Sequence, residues 1–302
     1  MSSTERAARE VKGLREEEMK VMLALERGAI TIGPTDAGVI SRLSSLPPER
    51  VEFAIRELRR KELVVRRGRN YTLTQSAVEA LALSEYARRG MIVALGAIIA
   101  RGKESDVYEA FDEKGGLYAL KFFKLGRTSF TAVRRKRQPA RGGIRSWLTM
   151  NYEAARREYT TLKRLEGLSV SFPVAVAYER STVLLEQLSG VRLSTRPPLE
   201  DPRGMLIGIL SEVRRAYIEA GVINADLSEY NILTDGSRFW LIDWPQAVER
   251  RHPNAPDLLR HDVLTVVRFF ARAYGVRAES GAAMDYVVGR TLLEEDKLFP
   301  QD

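Results

Sequence analysis

The chain of 302 residues holds 48 Lys and Arg against 40 Asp and Glu, a formal charge of +8, with 44% hydrophobic residues and no cysteine. That describes a globular protein long enough for two domains and excludes a disulfide scaffold and thiolate metal sites. The longest apolar stretch, about ten residues at 91–100, is far short of the roughly twenty that span a bilayer, and the first ten residues mix both charge signs without a signal-peptide core. A cytoplasmic protein with no membrane partner is expected. The positive excess permits attraction to phosphate-rich partners, RNA or DNA first, or an ion-paired solvated surface.

Residues 16–26 set Met19, Val21, Met22, Leu23 and Leu25 near helical spacing and predict a helix ending at Gly28. A short helix over 35–43 is closed by Pro47-Pro48. A third starts at Pro48, with Val51, Ala54, Ile55 and Leu58 on one face and Arg56, Arg59 and Arg60 on the other. Two β-like runs, 63–65 and 71–73, flank Arg66-Arg67-Gly68-Arg69-Asn70. Three helices and a basic hairpin are the order of a winged helix-turn-helix, assigned to residues 1–73, with a connecting helix over 74–90. Arg56, Arg59, Arg60, Arg66, Arg67 and Arg69 are the candidate nucleic-acid contacts, through phosphates and with little sequence selectivity. A protein-docking winged helix with solvated arginines is the alternative.

Strand patterns follow at 92–100, 106–111 and 116–123, an amphipathic helix at 151–165, and strands at 173–178 and 182–186. Between Glu113 and Glu153 there is no acid, while Lys124, Arg127, Arg134, Arg135, Lys136, Arg137, Arg141 and Arg145 crowd one stretch, a basic loop over about 124–149. From Arg203 the chain turns helical. The predicted class is α+β, a protein-kinase-like fold with its N-lobe over 91–188 and its C-lobe over 189–302.

The chemistry lies in Asp226-Leu227-Ser228-Glu229-Tyr230-Asn231, followed by an apolar strand. Phosphoryl transfer asks for such a pair: the Asp orients the attacking hydroxyl and accepts its proton, and the Asn holds magnesium. Asp243 ends the apolar strand Phe239-Trp240-Leu241-Ile242 and suits a second metal ligand. Lys121, on an otherwise apolar strand, is placed for the α- and β-phosphates, and Glu158 is its natural ion-pair partner. Gly102, Lys103 and Ser105 fall in a loop between strands that suits the triphosphate. The Glu186 carbonyl and Leu188 N–H suit adenine. ATP with Mg2+ or Mn2+ is the cofactor set. His252 and His261 are the only histidines, too few for a zinc site, and His252 reads as structural.

These motifs resemble the RIO family of atypical protein kinases, in its Rio-two subfamily. The resemblance rests on GKESDVY at 102–108, LGRTSF at 125–130, the run 226–233, IDWPQ at 242–246 and HPNA at 252–255. It implies Asp226 as catalytic base, Asn231 and Asp243 as metal ligands, Lys121 with Glu158 as the phosphate-orienting pair, and Ser105 on phosphate. Ser129 becomes an autophosphorylation candidate, with Thr128 and Ser146 competing. It further implies a role in maturing the small ribosomal subunit, with rRNA or ribosomal proteins as partners, and chemistry that is either kinase or ATPase, the latter through a phospho-aspartate at Asp243. Oligomeric state is open, with a monomer as default. Two positions depart from the family: Asn224-Ala225 stands for the usual His-Gly, and Ala100 for a common Gly. They motivate the alternative of an ATP-binding, nucleic-acid-associated regulator with little turnover. A small-molecule kinase of the aminoglycoside type shares the Asp–Asn pattern, but the winged helix and LGRTSF argue against it.

Overall fold

A computed structural model describes residues 1–126 and 147–300. The chain divides into two compact units, Met1–Arg156 with Val176–Leu185, and Arg157–Ala175 with Glu186–Asp302.

The first unit opens with a helix not expected from the sequence, α1 (Ser3–Val11). Its start is a capping box: Ser2 Oγ accepts the Glu5 N–H at 3.1 Å, and the Glu5 carboxylate accepts the Ser2 N–H at 2.9 Å. Next, α2 (Glu16–Thr31) runs past the expected stop at Gly28. Gly28 serves packing instead, since a Cβ there would lie 2.7 Å from Thr35 Cγ2. Asp36 caps α3 (Ala37–Ser44), and Pro48 opens α4 (Pro48–Arg60), which buries Val51, Ala54, Ile55 and Leu58 as predicted. The hairpin of β1 (Val64–Arg67) and β2 (Asn70–Leu73) turns at Gly68, whose φ of +62° suits the tight connection. Tyr71 N donates to Thr35 O at 2.8 Å and ties the hairpin back to the helices.

The expected connecting helix, α5 (Gln75–Arg88), is buried along most of its length, with Ala77, Val78, Ala80, Leu81, Ala82, Leu83 and Tyr86 all inside. A helix apolar on every side belongs in a core. Its Tyr86 hydroxyl accepts from Thr182 Oγ1 at 3.1 Å. The sheet order is β3-β4-β5-β7-β6, formed by β3 (Ala94–Arg101), β4 (Ser105–Phe111), β5 (Leu117–Phe123), β6 (Ala175–Glu179) and β7 (Thr182–Glu186). These are the five expected strands, and α6 (Trp147–Leu165) starts four residues earlier than its apolar face suggests. One hydrophobic cluster joins Met22 and Leu58 through Leu81 to Leu120, Phe122 and Leu184. The expected boundary at residue 73 therefore does not separate two cores, because α5 is buried among residues from both sides of it.

In the second unit, β8 (Val191–Arg192) precedes α7 (Pro202–Ile218) and β9 (Val222–Ile223). The hairpin of β10 (Ile232–Thr234) and β11 (Phe239–Leu241) pairs Ile232 with Leu241 and adds β8 at its edge. Then β12 (Val248–Glu249) pairs with β9, and α8 (Ala255–Tyr274), α9 (Ser280–Val288) and α10 (Glu295–Leu298) close the unit. Among the described residues, no helix is long and apolar enough to cross a membrane.

Candidate active site

Two short strand pairs set the polar loops of the second unit. Strand β9 ends at Ile223 and β10 begins at Ile232, so the 226–231 run is held at both ends by buried apolar residues. The Asp226 carboxylate reaches solvent, while the neighbours on either side, Ala225 and Leu227, are buried. Their backbones are gripped from α8. Asp262, 1% exposed, accepts the Ala225 N–H on Oδ2 at 2.7 Å and the Leu227 N–H on Oδ1 at 3.1 Å. Burial raises the Asp262 carboxyl above its ordinary range, and these N–H bonds work in the opposite direction.

Within the loop, Asn231 Nδ2 donates to the Asp226 carbonyl at 2.9 Å. That bond uses the amide nitrogen and turns its oxygen into the available ligand. The Ile242 N–H donates to Asn231 O at 2.9 Å, which sets Asp243 one residue beyond a backbone contact with the Asn. Asn224 joins the two acids. Its Nδ2 donates to the Asp243 carbonyl at 3.0 Å, and its Oδ1 accepts the Asp226 N–H at 3.2 Å. Ala225 and Asp243 have φ of +67° and +69°, left-handed values that non-glycine residues adopt at a cost of about 1–2 kcal/mol each. The chain turns sharply just before Asp226 and at Asp243.

Trp244 anchors the segment after Asp243. It is 1% exposed, donates Nε1–H to Leu241 O at 2.8 Å and packs edge-on against Phe172. Its backbone N–H donates to the buried Glu158 at 3.4 Å. His252 is structural as expected, its Nδ1 accepting the Asn254 N–H at 3.2 Å in the turn before α8.

The other expected residues lie in the first unit or at the end of β7. Lys121 is buried on β5, opposite Val107 of β4, with Nζ 4.9 Å from the centre of the Phe123 ring. Ser105 opens β4. The Gly102 N–H is spent on the Ser105 carbonyl at 2.8 Å, so Gly102 shapes the turn; a Cβ there would sit 3.0 Å from that oxygen. Lys103 is exposed at the tip. Glu186 accepts the Val174 N–H on its carboxylate and donates its own N–H to Val174 O, both at 3.0 Å, while Leu188 follows β7 half-buried. Arg56, Arg59, Arg60, Arg66, Arg67 and Arg69 are all exposed. Ser129, Thr128, Ser146 and most of the basic loop lie outside the described residues.

Sequence reasoning missed Asp262. Its signal was a carboxylate on the apolar stripe Leu259, Val263 and Val266 of α8, where a charge is costly without partners. Among the described residues, no group of three His, Cys, Asp or Glu side chains forms a metal cage. One carboxylate and one amide oxygen are instead what a site offers when a hard cation takes its remaining oxygens from phosphates and water.

A sheet-and-helix unit with a buried strand lysine, and a helical unit with Asp and Asn in one loop and a second Asp after a short hairpin, define an ATP-dependent phosphotransferase of protein-kinase type. The RIO domain family model matches residues 106–282. The RIO-type serine/threonine-protein kinase Rio2 of Methanocaldococcus jannaschii is 34% identical over 240 residues, 77% of this chain and 88% of the relative. The Schizosaccharomyces pombe serine/threonine-protein kinase rio2 is 31% identical over 212 residues, 69% of this chain and 61% of that longer protein. A solved Rio2 kinase from Chaetomium thermophilum, in an ADP/Mg2+-phosphoaspartate complex, superposes with a TM-score of 0.78 at 25% identity, covering 96% of this chain and 91% of that one. The chain belongs to the RIO family of atypical serine/threonine kinases, on its Rio2 branch.

Proposed function

We propose that the chain is an ATP- and Mg2+-dependent RIO-type kinase or ATPase acting in maturation of the small ribosomal subunit, through rRNA, ribosomal proteins or both. The observation that carries the enzymatic reading is the loop in which Asp262 and Asn224 hold the backbone around Asp226 while Asn231 and Asp243 meet through Ile242. In this reading Asp226 accepts the proton of the attacking hydroxyl, the Asn231 and Asp243 oxygens hold Mg2+, and Lys121, oriented by Glu158, holds the α- and β-phosphates. Ser105 and the turn at Gly102 and Lys103 cover the phosphates, and the Glu186 carbonyl and Leu188 N–H take adenine. Bound Mg2+ would neutralise charge developing on the transferred phosphoryl group.

Asp243 supports a second reading. Its carboxylate is itself a nucleophile of the kind that accepts phosphate, and the C. thermophilum relative carries a phosphoaspartate. Transfer to Asp243 followed by hydrolysis would make the chain an ATPase that times its release from a particle. Co-sedimentation with small-subunit precursor particles tests this. Wild-type association should change on adding ATP, and that of Asp243→Ala should not. No association in any nucleotide state would contradict the ribosomal reading.

A further inference from the structure

The N-terminal arginines fall into two sets. On α4 the exposed stripe at helical spacing is Glu49, Glu52, Arg56 and Arg59. Arg60 pairs with Glu57 at 3.2 Å and Arg50 with Glu17 at 3.6 Å. The element carries four Arg and three Glu, a net charge of +1. Two of its three acids, Glu49 and Glu52, lie in the N-terminal half, the end with which a helix-turn-helix reading helix meets base edges. A polyanion entering there meets Glu49 and Glu52 first.

The hairpin is different. Residues 64–71 contain Arg66, Arg67 and Arg69 and no acid, a net charge of +3. All three side chains are exposed, and among the described residues none of them pairs with a carboxylate, as is also true of Arg56 and Arg59, so the difference lies in the acids that share α4. The Arg66 Nε–H donates to the Gly68 carbonyl at 2.8 Å and folds that guanidinium toward the tip. The hairpin that presents them is fixed, with Val64 and Leu73 buried at its base and the Tyr71–Thr35 backbone bond along its edge.

We propose that this hairpin, and not α4, is the nucleic-acid-binding edge of the N-terminal region, gripping phosphates without base selectivity. The proposal rests on the nucleic-acid partner of the proposed function and assigns its location. Guanidinium forks match phosphodiester oxygens. The tip, Arg67-Gly68-Arg69-Asn70, has no apolar side chain to enter a lipid surface, which separates it from a membrane anchor.

The test is fluorescence anisotropy with a short RNA duplex, across about 50–200 mM salt. Wild type should show log K falling linearly with log salt with a slope of roughly −2 to −3, as for about three phosphates neutralised. The triple variant Arg66→Gln, Arg67→Gln, Arg69→Gln should lose most of that slope and at least about tenfold in affinity. Arg56→Gln with Arg59→Gln should stay within about twofold of wild type. Both variants should keep wild-type ATP hydrolysis, which shows that they are folded. Equal losses in the two variants, a larger loss in the α4 variant, or binding to anionic vesicles in place of RNA would overturn the proposal. RNA binding that maps to the hairpin without association to ribosomal particles would leave this proposal standing and remove the ribosomal reading alone.

Discussion

Replacing Asp262 with Asn tests the mechanical basis of the candidate catalytic loop. The carboxylate holds two backbone N–H groups, those of Ala225 and Leu227, at 2.7 and 3.1 Å, from a site 1% exposed. An amide keeps one acceptor and turns an NH2 group toward the other donor. One charge-assisted bond is lost, worth about 1.5–3 kcal/mol, and it leaves a backbone N–H unsatisfied at a buried residue. Burial already raises the Asp262 carboxyl, so removing a costly charge returns part of this, and the net loss should fall near ~2 kcal/mol. For a chain of this size that lowers Tm by about 3 °C. The loop should suffer more than the fold, because the freed N–H flanks Asp226, and a misplacement of about 1 Å costs up to a hundredfold in rate. Thermal unfolding by circular dichroism and Mg2+-dependent γ-phosphate release read the two effects. An unchanged Tm with unchanged kcat would refute the clamp.

Glu79 gives a pH signature in the N-terminal region. It is buried on α5 with Oε1 accepting from Gln75 and Ser3, and burial raises its carboxyl from 4.5 to about 7. With the folded value above the unfolded one, its stabilising contribution is full below about 4.5 and lost as pH rises through about 7. Urea unfolding should show wild type losing about 3 kcal/mol relative to Glu79→Gln between about pH 4.5 and 8, and parallel profiles would contradict this. At Ala225, where φ is +67°, Gly should be tolerated within about 1 kcal/mol, whereas Val should cost at least about 2 kcal/mol; equal thermal shifts would deny the strain. Asn224→Ala removes both bonds joining the Asp226 and Asp243 backbones and should lower kcat by roughly tenfold or more with KM for ATP little changed. A selective rise in KM would place Asn224 in binding instead.

The candidate site residues could be read as a group because their environment is local. Asp226, Asn231 and Asp243 stand beside short apolar strands whose pattern marks them, and the HPNA turn folds as its residues suggest. The groups that support them are not local. Asp262 lies in another helix, and only its place on an apolar stripe betrays it. Gly28 misled because a side chain from beyond the helix, Thr35, decides what fits there. The helix from Gln75 to Arg88 looked like a connector by its place in the order, yet its run of Ala, Val and Leu is the composition of an element covered on all sides. The first helix was marked by its cap, Ser2 and Glu5, and by Thr4, Ala7, Ala8 and Val11 at helical spacing, a period whose small side chains are easily passed over.

Phosphoryl transfer is proposed to run through the carboxylates of the second unit. The most direct measurement is γ-phosphate release and transfer from labelled ATP, with and without Mg2+, in wild type, Asp226→Ala and Asp243→Ala, each checked for an unchanged unfolding profile. Magnesium-dependent turnover in wild type that falls by at least about a thousandfold in both variants is the predicted result. Equal turnover in all three proteins would rule out both carboxylates as the transfer machinery.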